Sequence, residues 1–273
     1  MDIERTKAFI SETHSNIEGW FFPLDQLAFF ELFAVQNQIQ AGGDIVEVGV
    51  YHGKSLVLLS LLKNQDEKLI GFDLFDADHE ERTRDNLSHF GSSEQVSLVR
   101  GYTSEIAQTD LNAMLPSPLR FLHIDAGHEY HEVLEQLHLF SPYVADRGII
   151  AMDDYQDREF PGIEAAVLDF AELDRPRRFV PFLAGGNKLF LCFSPMATAF
   201  QKMLLDRPNF RDTCRLTRVR DFNILIMRSK LPVKSQAIAE QLEALNFPRR
   251  TESDLSLNQK SGQYSQLTFG SGQ

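Results

Sequence analysis

Apolar and polar positions change their rhythm near residue 44. Before it, the run LDQLAFFELFAVQNQI spaces its apolar side chains at helical intervals, so residues 1–40 read as helical. The segment NIEGWFFP (16–23) interrupts that pattern. Its Gly, Pro and three aromatics suit a loop ahead of the longer helix. After residue 44, short apolar β runs alternate with helical stretches: DIVEVGV then SLVLLSLLK, KLIGFDLF, VSLVRGY, LRFLHIDA then HEVLEQLHLF, and GIIAMDDY then GIEAAVLDF. Strand–helix alternation over about a hundred residues predicts a parallel sheet covered on both faces. The near-continuous apolar runs LRFLHI and GIIAM agree, because parallel strands are buried on both sides.

RFVPFL and KLFLCFS follow, separated by AGGN, and read as a closing hairpin with an antiparallel strand. The reading divides the chain into a helical segment (1–43), an α/β core (44–195), a C-terminal α/β appendage (196–248) and a tail (249–273). The appendage holds a helix (AFQKMLLD), a strand (FNILIMR) and a second helix (KSQAIAEQLEAL), and is a candidate oligomerisation element. The tail is rich in Ser, Gln, Gly and Thr, a composition expected to be disordered. There is no internal repeat.

Charge narrows the partners. The 39 acidic and 27 basic residues give a formal net charge of −12. Such a surface repels phosphate backbones and anionic lipid, so neither nucleic acid nor membrane is expected as a partner. The apolar stretch from Trp20 to Val35 is broken by Asp25, Gln26 and Glu31 and cannot cross a bilayer. The N-terminus lacks the apolar segment of a signal peptide. Cys192 and Cys214 are too few for a disulfide framework and read as buried thiols. A soluble, cytoplasmic protein is expected.

In an open α/β sheet, ligands bind beyond the carboxyl ends of the strands. The first strand ends in EVGVYHGKS, residues 47–55. Gly49 and Gly53 allow a tight turn and close approach to a ligand, with helix N–H groups behind them. Lys54 and Ser55 imitate a phosphate-binding loop, but only three residues separate the two glycines where such a loop needs four. Glu47 would also sit badly beside a triphosphate, and G-x-G-x-x-G is absent. A turn for a less charged nucleoside remains. Asp73 ends the second strand, 26 residues after Glu47, and suits the two hydroxyls of a ribose.

The fourth strand ends in HIDAGHEYHEV and the fifth in GIIAMDDYQD. Adjacent strands would bring Asp125, Asp153 and Asp154 together. Three carboxylates in one place repel unless protonated or bridged by a cation, and a hard divalent ion, Mg²⁺ first, is the expected bridge. His123, inside the strand, reads as a core residue. His52 reads as a substrate contact or a solvent-facing side chain, and Tyr130 as packing. Trp20, Phe21 and Phe22 suit either a lid or the core.

Taken together, EVGVYHGKS, GFD, HIDAGHEY and MDDY resemble the class I methyltransferases, in their metal-dependent O-methyltransferase branch. That branch includes sugar O-methyltransferases of antibiotic biosynthesis, and the glycine turn is shared with catechol O-methyltransferases. The resemblance covers roughly residues 16–195. It implies a doubly wound, mostly parallel, seven-stranded Rossmann-like sheet and S-adenosylmethionine as methyl donor. Glu47, Gly49, Tyr51, Gly53 and Ser55 would then belong to the cofactor turn, with Ser55 on the methionine carboxylate. Asp73 would take the ribose, Thr103 and Ser104 would lie near the adenine, and Asp125 would border both cofactor and metal. Asp125, Asp153 and Asp154 would hold Mg²⁺, and His128 would be the general base.

Two departures stand out. Many relatives read D-G-D-H where this chain has Asp125-Ala126-Gly127-His128, which shifts the base to His128. Asp154 stands where catechol enzymes carry Asn. The implied reaction is O-methylation of a small hydroxyl-bearing molecule, a vicinal diol of a sugar, glycan or phenol. The carboxylates alone would also suit a metal-dependent hydroxylase or hydrolase, against which the nucleoside turn argues. A non-catalytic S-adenosylmethionine-binding protein is the third class.

Overall fold

The computed structural model describes residues 1–173, 178–211 and 213–228. The strands are β1 (Asp44–Val48), β2 (Leu69–Asp73), β3 (Val96–Arg100), β4 (Leu119–Ile124), β5 (Val144–Met152), β6 (Phe179–Gly185), β7 (Lys188–Phe193), β8 (Cys214–Val219) and β9 (Phe222–Met227). The helices are α1 (Ile3–Ser11), α2 (Pro23–Gln38), α3 (Lys54–Leu62), α4 (His79–Phe90), α5 (Thr103–Ile106), α6 (Leu111–Met114), α7 (Tyr130–Phe140), α8 (Pro161–Glu172), α9 (Ala197–Leu205) and α10 (Pro208–Arg211).

All strands join one sheet in the order β3-β2-β1-β4-β5-β7-β6-β9-β8. β1 to β5 run parallel, and β7 is antiparallel to both of its neighbours. The chain leaves β1 toward β2 and β3, then crosses back to place β4 on the other side of β1. That reversal opens a crevice at the carboxyl ends of β1 and β4.

Side-chain alternation sends successive residues of each strand to opposite faces. On β5, Ile149 and Ala151 join a core with α2, α3 and Phe121, while Ile150 and Met152 join one with α7, α8 and Leu122. Helix α2 is buried along nearly its whole length, including Asp25, Gln26 and Glu31. Those polar residues break the apolar run without bringing it to the surface. Among the described residues, no helix is long and apolar enough to cross a membrane.

The seven strands expected from the sequence are present, and the appendage adds two more to the same sheet. β9 pairs in parallel with β6, and β8 forms the half-exposed outer edge. The alternation in CRLTRV is blurred by its arginines, which is why β8 was not foreseen. The expected helix at 234–245 and the tail at 249–273 lie outside the described residues.

Candidate functional site

The carboxyl ends of β1, β2, β4 and β5 open into one cleft of about 870 Å³. Small-molecule sites fall in the range of roughly 300–1,000 Å³. Gly49, Tyr51, Ser55, Asp73, Thr103 and Ser104 line one end, and His128, Asp153, Asp154 and Asn187 the other. Asp125 lines the cleft between them.

At the first end the backbone does most of the shaping. Gly49 has φ +89°, and a Cβ there would lie 1.9 Å from the Asp125 carbonyl oxygen. No side chain fits, so β1 can approach β4 closely only with glycine. Tyr51 also takes a left-handed conformation, φ 52°. The turn is held by Asp73, whose Oδ2 accepts from the Val50 and Tyr51 N–H groups at 2.6 and 2.9 Å. Its Oδ1 accepts from the Phe75 N–H at 2.7 Å. A carboxylate offers about four acceptor positions, so Asp73 keeps capacity for a further donor at the cleft wall. Lys54 donates to the Gly19 carbonyl at 2.8 Å, tying the N-terminal loop to the turn.

Two residues grouped with the cofactor turn do not line the cleft. Glu47 points beneath the floor, fully buried, with its Oε1 2.7 Å from His123 Nδ1. Gly53, at φ +78°, is the N-cap of α3 with Thr83 packed against it. Both shape the turn from behind.

The second end is built from charges. Asp153 is buried; its Oδ1 accepts from the Asp154 N–H at 2.8 Å, and its Oδ2 is paired with Lys188 Nζ. His123 Nε2 lies 3.7 Å from the same Oδ2. Burial pushes the Asp153 carboxyl up, but Lys188 and His123 outweigh it and hold it well below the usual range. Lys188 is itself buried, which disfavours its charge; Asp153, Asp25 and Asp125 more than compensate and keep it an ammonium. Asp25, on α2 behind Lys188, is pushed up to about 7 by burial. Burial, then the charge of Asp153, raises Asp125 well above an ordinary carboxyl.

Asp154 turns the other way, at φ 53°. Its Oδ2 lies 3.2 Å from His128 Nε2, and its Oδ1 accepts from the Asn187 amide at 3.0 Å. The hydrogen bond to Asp154 is the main cause of a raised His128 pKa. The His128 ring stacks on Phe160 with centroids 4.1 Å apart.

The three aspartates thus lie close together in the cleft, but their donor atoms fall into two sets joined by Asp125. Among the described residues, His123, Asp125 and Asp153 form one set and Asp125, His128 and Asp154 another, each within 4.8 Å. All three members of the second set line the cleft, while His123 of the first does not.

The sequence reading missed Lys188, Asn187 and Asp25. The available signals were a lysine immediately after a Gly-Gly-Asn turn and an acid inside an apolar helix. Of the aromatic trio, Trp20 is 82% exposed at the cleft and stacks on Tyr51 at 6.2 Å, Phe22 also lines the cleft, and Phe21 is in the core. His52 is buried against Tyr51 and does not line the cleft. Tyr130 is half-exposed, and its hydroxyl donates to Asp169 at 3.0 Å rather than packing. Cys192 is buried as expected, and Cys214 is half-buried.

Residues 46–155 match a family described as "Methyltransferase domain". An uncharacterized protein of Acanthamoeba polyphaga mimivirus is 34% identical over 125 residues, 45% of this chain and 56% of that protein. The chain therefore spans about half the length of that curated relative. Among solved structures, the O-methyltransferase NovP superposes with a TM-score of 0.50 at 20% identity, over 62% of this chain and 79% of NovP. Cofactor-bound Rv0187 from MTB gives 0.50 at 15% identity, over 70% and 88%. At such identities the superpositions show a shared fold. Together with the family match, they show that residues 46–155 resemble a methyltransferase domain and that the chain has a Rossmann-like α/β fold.

Proposed function

We propose that this protein is an S-adenosylmethionine-dependent O-methyltransferase acting on a hydroxyl of a small molecule such as a sugar, glycan or phenol, with Mg²⁺ beside the acceptor. The observation that carries the reading is the single cleft that joins the Gly49–Ser55 turn to the Asp125, His128 and Asp154 set.

The lining fits the cofactor. The turn offers backbone and the Ser55 hydroxyl for the amino-acid part, Asp73 retains acceptor capacity for ribose hydroxyls, and Thr103 and Ser104 continue the wall toward the adenine. S-adenosylmethionine supplies a methyl group already activated on a sulfonium, so the protein's task is to align and to exclude water. Trp20, Tyr51, Phe22 and Phe160 provide apolar walls for that purpose.

The second end fits a divalent cation through Asp125 and Asp154, hard oxygen donors that both line the cleft. Such an ion, when bound, stabilises an acceptor oxygen as it loses its proton. His128 is the proton acceptor. Its ring is fixed by Asp154 on one side and by the Phe160 face on the other. Proton transfer to a positioned side chain contributes typically about 10²–10⁴ in rate. Asn187 steadies the Asp154 carboxylate that orients this base.

Turnover against a panel of diol-bearing sugars and phenols, read as S-adenosylhomocysteine release, tests the proposal. The expected result is transfer to a diol acceptor that falls on chelation and returns with Mg²⁺. Binding of S-adenosylmethionine with no transfer to any hydroxyl in a broad panel would favour the non-catalytic class.

A further inference from the structure

Lys188 is a buried cation at the acceptor end to which the proposed chemistry gives no role. It sits at the start of β7, directly after the Gly185–Asn187 turn, and is 1% exposed. Its ammonium contacts Asp153 and lies 5.5 Å from the centroid of the Phe21 ring. Asp25 approaches from α2, against Gly186, where a Cβ would lie 1.9 Å from Asp25 Oδ1. A lysine is seldom fully buried, and here it is enclosed by acidic partners.

The consequence falls on Asp153. Oδ1 of Asp153 accepts from the Asp154 N–H and its Oδ2 is taken by the buried Lys188 ammonium with His123 beyond. The oxygens of Asp154 instead meet the neutral Asn187 amide and the cleft-lining His128 and, among the described residues, no buried ammonium. The repulsion expected among three neighbouring carboxylates is therefore met by a cation of the chain's own. We infer that Lys188 is a resident counter-cation that holds Asp153 out of the ligand set of the divalent ion, leaving that ion the Asp125 and Asp154 carboxylates. The inference rests on the proposed cation site and makes Lys188 a positioning residue. It departs from the sequence expectation of three aspartate ligands.

A two-carboxylate site holds a hard ion more weakly than a three-carboxylate site, because affinity rises with the number of charged ligands. Removing the ammonium would free Asp153 Oδ2, on a carboxylate that already has an oxygen within 4.8 Å of the Asp125 donor atom. The lysine thus acts against metal affinity. Its loss should strengthen binding, the opposite of what damage to a structural residue produces.

The test is Mn²⁺ binding to the full chain without cofactor, followed by the electron paramagnetic resonance of the free ion. Lys188→Met should tighten Mn²⁺ binding tenfold or more, and Lys188→Arg should leave it near wild type. The paired substitution Lys188→Met with Asp153→Asn keeps the net charge of the site. It should bind Mn²⁺ within about threefold of wild type. A tenfold loss in that pair would make Asp153 a direct ligand and overturn the inference. So would unchanged or weaker binding in Lys188→Met, or no Mn²⁺ binding to any variant. Should Lys188→Met alone fail to fold, the neutral pair still decides, since replacing both members of a buried ion pair is often tolerated where removing one is not. Calorimetry of S-adenosylmethionine on the same samples keeps the two ideas separate. Failure there would remove the methyltransferase reading and leave the metal result standing.

Discussion

The two ends of the cleft are made by different means. At the end proposed for the cofactor, Gly49, Tyr51, Ser55 and Asp73 lie within 24 residues of one another, and the contacts among them are largely backbone. At the end proposed for the acceptor, Asp25, His123 and Lys188 come from α2, β4 and β7 and Asp153 directly follows β5, and the contacts are between charges. The first end is set by local conformation. The second exists only once the sheet has formed, and each charge there depends on a partner far away in sequence.

Substitutions should therefore act differently at the two ends. The largest effect is expected from Gly49→Ala, where a methyl group meets the Asp125 carbonyl. It should abolish cofactor binding by calorimetry, through a displaced turn or a destabilised sheet; wild-type affinity would show that the close approach of β1 to β4 is dispensable. His128→Ala comes next. It should lower kcat by about 10²–10³ with KM and cofactor affinity within a few-fold, and an unchanged rate would return the imidazole to a packing role. Asp73→Asn, which exchanges one acceptor oxygen for a donor, should weaken S-adenosylmethionine by roughly tenfold, consistent with ~1.5–3 kcal/mol for a hydrogen bond to a charged group.

The smallest effect belongs to Asp25 and concerns stability. Its pKa, pushed to about 7 by burial, lies above that of the unfolded chain. The folded protein then keeps a proton that the unfolded chain releases, so wild type loses stability as pH rises from about 5 to 6.5. The slope should be about 1 kcal/mol per pH unit relative to Asp25→Asn. Parallel stability curves for the two proteins would mean that Asp25 is ionised in the fold and fully compensated by Lys188.

The same contrast explains what was legible beforehand. The positions of the first seven strands and the glycine turn could be read because alternation and glycine spacing are local signals, and Asp73 could be read because it ends a strand at a fixed distance from the turn. Asp125, Asp153 and Asp154 could be placed close together in the cleft for the same reason. Their division into two donor sets could not, since it depends on Lys188 reaching Asp153 across the β5–β7 pairing and on Asp154 turning through φ 53° to meet His128. That Glu47 lies beneath the floor is not legible in the sequence, because a position at a strand end says nothing about which face the side chain takes. His123 beneath the floor decides that.

Calorimetry with S-adenosylmethionine, S-adenosylhomocysteine and ATP on the full chain tests the central claim most directly. Both adenosyl compounds should bind and compete for one site per chain, and Asp73→Asn should weaken both. ATP should not bind, because the turn lacks phosphate-loop geometry and the cleft wall carries Asp73, Asp125 and Asp154. Tight binding of ATP without either adenosyl compound would contradict the account.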